Sequence, residues 1–328
     1  MVTSTLLSIL IDCSKQNILV PFYHAVSNTV PSFIGNLYSP RKIDDFEKDL
    51  GTLLAFYEPV SLTELVSIVN SNEKNTRKCF HLTFDDGLAN FYEVVAPILI
   101  KRKIPATVFL NTNFVDNKEL FFRYKASLLL DNYNQSIESV KEMYHKFKAE
   151  NSSNNSSVSE FLLSITFQNK NVLDDLALNL NFSFNDFLNT EKPYLTTNQI
   201  TELINQGFTF GAHSENHPLY AQLSLDEQIT ETTNSLNWIK KEFNIDYKAF
   251  SFPFTDLGVS ASFYEAIKNE SIFDISFGTS GIKRDLIKNN LQRIPFEVAG
   301  KSAKLFLLKE YVKYFFKIPM RRSIMKRG

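Results

Sequence analysis

The sequence predicts an α/β fold in which βα units surround a parallel sheet or barrel, interrupted by a helical insertion. Three observations carry that prediction. Short apolar runs alternate at regular spacing with helix-periodic segments through residues 18–110 and again from residue 196 onward. Two of those runs stop at polar, chemistry-bearing clusters, the first at Asp85-Asp86-Gly87 and the second at His213-Ser214-Glu215-Asn216-His217. The rhythm fails between about Phe114 and Pro193, where helical patterns replace it. A chain of 328 residues, 44% hydrophobic, can bury a full core, and one domain over 1–328 with an insertion at 114–190 accounts for the pattern.

Taken in order, residues 18–24 (Ile-Leu-Val-Pro-Phe-Tyr-His) are the first expected strand, ending at His24. Residues 40–55 place Ile43, Phe46, Leu50, Leu53 and Leu54 on one helical stripe. A short strand ends at Val60, and Ser61 to Glu64 has the spacing of a capping box. Strand 78–84, helix 88–103 and strand 105–110 follow. Inside 114–190, residues 121–130 and the trio Val140, Met143 and Phe147 read as helical. In Asn151–Ser159 eight of nine residues are Asn or Ser, a composition that predicts a loop because it cannot pack a core. The insertion is expected to be a lid beside the site, a partner surface, or an embellishment without a role.

The βα rhythm resumes with Thr197 as an expected cap for a helix bearing Ile200, Leu203 and Ile204, closed by Gly207. Strand 208–212 leads into the histidine cluster. Ser224 to Glu227 is a second capping box, opening a helix with Ile229, Leu236, Ile239 and Phe243 on one face. Strand 248–254, a helix near 260–270, strand 273–277 and a last strand at 291–297 complete the pattern. Residues 301–328 hold nine Lys or Arg against one acid, Glu310, beside a broad apolar side. Such a basic amphipathic helix either packs on its own domain or makes peripheral contact with an anionic membrane.

Bulk properties narrow the function classes. A formal charge of −1 gives no global pull toward nucleic acid. Two cysteines, Cys13 and Cys79, form no disulfide framework and suit a reducing compartment. The first residues lack a basic segment ahead of their short apolar run, so a signal peptide is not expected, and no run reaches the roughly 18 apolar residues that span a bilayer. The expected location is cytoplasmic; packing of 301–328 on its own domain is the commoner case for such a helix, and association at the inner membrane surface through it is the alternative.

The chemistry lies at the two strand ends. Adjacent aspartates leaving a strand point in different directions, so one can hold a cation while the other stays free to take a proton. Taken alone, Asp-Asp-Gly is also ordinary turn chemistry. His213 and His217, two of the chain's five histidines, are four residues apart. With a distant carboxylate they make a three-ligand set that leaves a position open, as in catalytic zinc sites.

At these residues the chain resembles the polysaccharide deacetylase (NodB-homology) family, carbohydrate esterase family four. Thr83-Phe84-Asp85-Asp86-Gly87 and His213-Ser214-Glu215-Asn216-His217 match its first two motifs. Phe22-Tyr23-His24 matches the Tyr-His of the poly-N-acetylglucosamine deacetylase-like branch. The resemblance implies a distorted, incomplete (β/α) barrel of about seven strands and a metal-dependent hydrolase that removes N-acetyl groups from an acetamido sugar of a polysaccharide or glycan precursor. By the same resemblance Asp86, His213 and His217 hold a divalent metal, most simply Zn2+. Asp85 is then the general base and His24 the general acid, and the Phe254 backbone N–H helps hold the oxyanion. Phe84 and Arg293 are expected on the oxyanion and substrate side.

Two departures from the family pattern matter. The third motif, Ala249 to Phe254, lacks the arginine that pairs with the base aspartate in many relatives, and Arg293 either replaces it or is a surface residue. No histidine follows His217, which strengthens His24 as the acid, since His81 lies inside a strand and His145 in the insertion. The competing reading is a weakly active or inactive glycan-binding protein on the same fold. A two-histidine, one-carboxylate iron site fits poorly, because the carboxylate lies far upstream of the histidines.

Overall fold

The computed structural model describes residues 2–133, 142, 157–298 and 300–327. The expected helix around Val140–Phe147, including His145, and the first part of the Asn/Ser run lie outside the described residues apart from Glu142. The end of that run is not loop: Ser157 caps a helix at Val158–Ser164 by accepting the Glu160 N–H. The chain divides into two compact units, one of residues 1–28, 40–116 and 194–328, the other of residues 29–39 and 117–193.

The first unit is the barrel. Its strands are β1 (Ile18–Leu19), β2 (Pro21–Tyr23), β3 (Glu58–Pro59), β4 (Cys79–Phe80), β5 (Leu82–Phe84), β6 (Ala106–Leu110), β7 (Thr209–Ala212), β8 (Ala249–Ser251), β9 (Ile275–Gly278), β10 (Asn290–Gln292) and β11 (Ile294–Pro295). Eight of them form one parallel sheet in the order β10-β9-β8-β7-β6-β5-β2-β11, a nearly closed barrel with one open seam. Both ends of that order come from one run of chain, residues 290–295, whose first half pairs with β9 and whose second half pairs with β2. The expected single strands 18–24 and 78–84 are each broken, at Val20 and His81. Their first halves join β3 in a small separate sheet.

Local chemistry explains most boundaries. Ser61 caps the helix Leu62–Asn70, but Glu64 does not close the expected box; its carboxylate bonds Arg77 at 2.7 Å. Ser224 and Glu227 do form a reciprocal box at the start of Leu225–Phe243. The helix Thr197–Asn205 is capped by Thr196, one residue earlier than expected, because Gln199 reaches back to the Thr196 N–H at 2.9 Å. The expected helix at 88–103 is a π-helical turn (Phe91–Val95) running into an α-helix (Ala96–Arg102), which keeps Phe91 and Val95 both buried.

The core is aromatic. Tyr23 stacks on Phe84 at 5.6 Å, Phe84 meets Phe91 edge-on at 4.9 Å, and Phe91 meets Phe208 at 5.1 Å. Gly211 in β7 has no room for a side chain: a Cβ would lie 2.6 Å from the Ala249 carbonyl oxygen. His81 is fully buried between the Val60 carbonyl and the Thr107 hydroxyl, each at 2.8 Å, so it is a packed core histidine.

The second unit is helical, with Phe122–Asn132, Val158–Ser164, Val172–Asn179 and Phe184–Glu191. It has its own core, including Phe33, Tyr124, Leu129, Phe161 and Leu176. Residues 29–39, which the sequence pattern did not assign to it, are tied in by Asn36, whose side chain donates to the Ser127 carbonyl and to Asp131. Among the described residues no helix is long and apolar enough to cross a membrane.

Candidate metal centre

The site forms where β2, β5, β7, β8 and the 290–295 run end. Asp85 continues β5, its N–H donating to the Tyr23 carbonyl at 2.9 Å. Asp86 then turns away with φ of 69°, a left-handed conformation costly for a residue with a Cβ. Ser214, His217 and Phe254 share it, with φ of 67°, 56° and 57°. Left-handed residues gathered at one place are backbone strain held by the surrounding structure.

Period-two alternation sorts the first motif. Thr83 and Asp85 face one way, toward Arg293, while Phe84 faces the other and is buried among Tyr23, Phe46 and Phe91. The Phe84 side chain therefore belongs to the core, and the expectation that it meets substrate is corrected.

His213 is delivered by β7, its N–H donating to the Leu110 carbonyl at 2.8 Å. Its Nδ1 lies 2.7 Å from the Ser251 carbonyl, which places the ring proton there and leaves Nε2 with a lone pair facing the aspartates. That Nε2 is 3.8 Å from Asp85 and 3.8 Å from Asp86; the His217 Nε2 is 3.4 Å from Asp86 Oδ1. The turn between the histidines is held from both sides. Ser214 Oγ accepts the His217 N–H at 2.9 Å, and Glu231 accepts the N–H groups of Glu215 and Asn216 at 2.8 and 3.2 Å.

One ligand atom from each of Asp86, His213 and His217 lies within 4.8 Å of the others, and all three residues are buried. Two imidazoles and a carboxylate converging in this way suit a divalent cation of the zinc type. Burial pushes His217 down to about 3 and lowers His213, so both rings are neutral, the form that binds metal.

Arg293 is fully buried and forks onto Asp85, with NH1 and NH2 each 2.7 Å from a carboxylate oxygen. It is not a surface residue. Its guanidinium lies over the Phe22 ring at 4.6 Å, and Nε donates to the Gly278 carbonyl at 3.3 Å. Burial alone would raise the Asp85 pKa, but Arg293, with His213 and His24, outweighs it and holds Asp85 well below the usual carboxylate range.

His24 follows β2, and Glu297 sits beside it two residues beyond β11. Glu297 bonds the His24 ring Nδ1 at 2.7 Å and accepts the N–H groups of His24 and Ala25. Burial lowers the imidazole's pKa, yet Glu297, helped by Asp86 and Asp85, lifts it from 6.5 to about 9. Phe254 sets its ring edge-on against His217 at 4.5 Å. Glu297 and Glu231 escaped the sequence reading. Glu297 acts on residues more than 270 positions earlier and Glu231 on a turn 15–16 residues before it, and no motif marks either contact.

Fold and cluster together define an α/β-barrel protein with a candidate single-cation site at its strand ends. Residues 72–155 match the family model for polysaccharide deacetylase. No curated protein matches the chain. Among solved structures, the chain is similar to the Streptococcus pyogenes deacetylase PplD in complex with acetate, at 20% identity and TM-score 0.54, covering 88% of this chain and 96% of that one. It is also similar to IcaB from Ammonifex degensii (14% identity, TM-score 0.55, 90% and 97% covered). A third is a de-N-acetylase from Aggregatibacter actinomycetemcomitans (14% identity, TM-score 0.53, 88% and 99% covered). At these identities the structural likeness is one of fold. The chain is thus similar, in its first motif and in its architecture, to the polysaccharide deacetylases.

Proposed function

We propose that the chain is a metal-dependent N-deacetylase acting on an acetamido sugar of a polysaccharide or glycan precursor. The observation that carries this reading is the Asp86–His213–His217 cluster beside an Asp85 kept ionised by Arg293. Amide hydrolysis needs an activated water, a stabilised oxyanion and a proton for the departing amine. Asp86, His213 and His217 would hold a divalent cation, which would supply Lewis acidity and acidify water, as a base carboxylate with so low a pKa requires. Asp85, ionised, takes the proton of the attacking water. His24, protonated and steered by Glu297, gives its proton to the amine nitrogen. The Phe254 N–H is the proposed oxyanion donor, and its left-handed backbone aims the peptide differently from an extended one.

The glycan-binding alternative rested on the arginine missing from the third motif. Arg293 supplies a guanidinium to Asp85 from between β10 and β11, which favours the enzyme. Two free cysteines fit a reducing compartment. The test is acetate release from acetylated chitooligosaccharides by metal-analysed protein, with Asp85→Asn as control. Stoichiometric metal with no release from any acetylated sugar would sink the catalytic reading.

A further inference from the structure

The helix Ala303–Lys317 lays Ala303, Leu307, Tyr311 and Tyr314 into the barrel unit, against the helices Val2–Ser14 and Ile43–Phe56. Its outer side mixes exposed apolar residues with lysines. Leu305 is 58% exposed and Phe316 70%, and the turn that follows exposes Ile318, Met320 (54%) and Ile324. The helix Val2–Ser14, tied alongside by the Lys304–Ser4 bond at 2.8 Å, exposes Leu6 and Ile9 as well. Large apolar side chains exposed in this number on two packed helices and the turn after them suit a contact with something apolar.

The charges say what that something is. Lys309, Lys317, Arg321 and Arg322 lie among these residues and form no ion pair within the described residues, whereas Lys313 pairs with Glu310. Residues 301–328 carry nine of the chain's basic residues and one acid, although the whole chain has a net charge of −1. A second copy docked through the same face would bring these cations together and is disfavoured. Nucleic acid would satisfy the cations but leave Phe316, Ile318 and Met320 without hydrocarbon. An anionic bilayer surface meets both demands, apolar side chains entering the acyl boundary and cations facing headgroups.

We propose that the face built by residues 305–324 docks the protein peripherally on anionic lipid membranes. The docking is independent of what the barrel site does. Sedimentation of the full chain with phosphatidylcholine vesicles, with and without roughly one third phosphatidylglycerol, tests it. The expected result is binding to the anionic vesicles alone, weakened as salt rises from about 0.1 M to several times that. Combined Phe316→Ser, Ile318→Ser and Met320→Ser should weaken binding more than tenfold with unchanged thermal melting. Lys317→Gln, Arg321→Gln and Arg322→Gln should cost about fivefold per charge. Equal sedimentation with neutral and anionic vesicles, or wild-type binding by both variants, would overturn the proposal. So would a concentration-dependent dimer abolished by the serine set in a protein that ignores vesicles.

Discussion

Arg293 and Asp85, 208 residues apart in the chain, meet inside the barrel as two parallel 2.7 Å hydrogen bonds with both side chains buried. The pair fixes the charge of the proposed base, and it makes the base expensive to leave alone.

Arg293→Met should strand the buried Asp85 carboxylate and destabilise the fold by roughly 3–5 kcal/mol. Adding Asp85→Asn should restore most of that loss in urea titrations while acetate release stays absent. A double variant no more stable than Arg293→Met would mean the arginine acts through its packing on Phe22, not through charge.

Replacing Asp86, His213 or His217 with Ala should abolish stoichiometric metal binding and lower acetate release on the order of 1000-fold. Chelation of the wild type should reproduce the loss, and added zinc should reverse it in the wild type alone. Full metal content in all three variants would place the cation elsewhere.

The acid makes a pH prediction. With His24 raised to about 9, its protonated form persists through neutrality, and activity should fall as pH rises through that value. Glu297→Gln removes the charge that does the raising, so the alkaline limb should move toward 6.5 or below. The linked stability is fully present below 6.5 and is lost as pH climbs from 6.5 to about 9. An alkaline limb that ignores Glu297 would exclude His24 as the donor.

His81 works with the opposite sign. Burial drives it down to about 4, so the fold binds it neutral while the unfolded chain protonates near 6.5. Its contribution is present above 6.5 and drains away as pH falls toward 4, by up to about 3 kcal/mol. His81→Gln should flatten that part of the stability profile; an unchanged slope would reassign it to other groups.

What the sequence revealed followed distance along the chain. Asp85, Asp86, His213 and His217 could be picked out because each cluster ends a strand whose apolar run is local. The barrel itself was visible as alternation, and His81 is packed although it lies at the break between β4 and β5 and not inside one strand. Arg293 stayed ambiguous because a buried arginine and a surface one look alike until the partner is known. Glu297 lies 273 residues from His24 and carried no signal at all. Alternation alone places the Phe84 side chain in the core: a residue between Thr83 and Asp85 faces the opposite side of the strand. Thr196 and Thr197 are adjacent candidates for the same cap, and only the reach of Gln199 separates them.

The run 290–297 borders the open seam, and it also brings Arg293 to Asp85 and Glu297 to His24. A ribosome that has emitted the first 289 residues has already made every side chain of the proposed cation site. It has made neither of the groups that tell the proposed base and acid which protonation state to hold. Assembly of the barrel and electrical commissioning of the site are therefore one late event, and a nascent chain stalled short of it would hold its ligands without a poised pair.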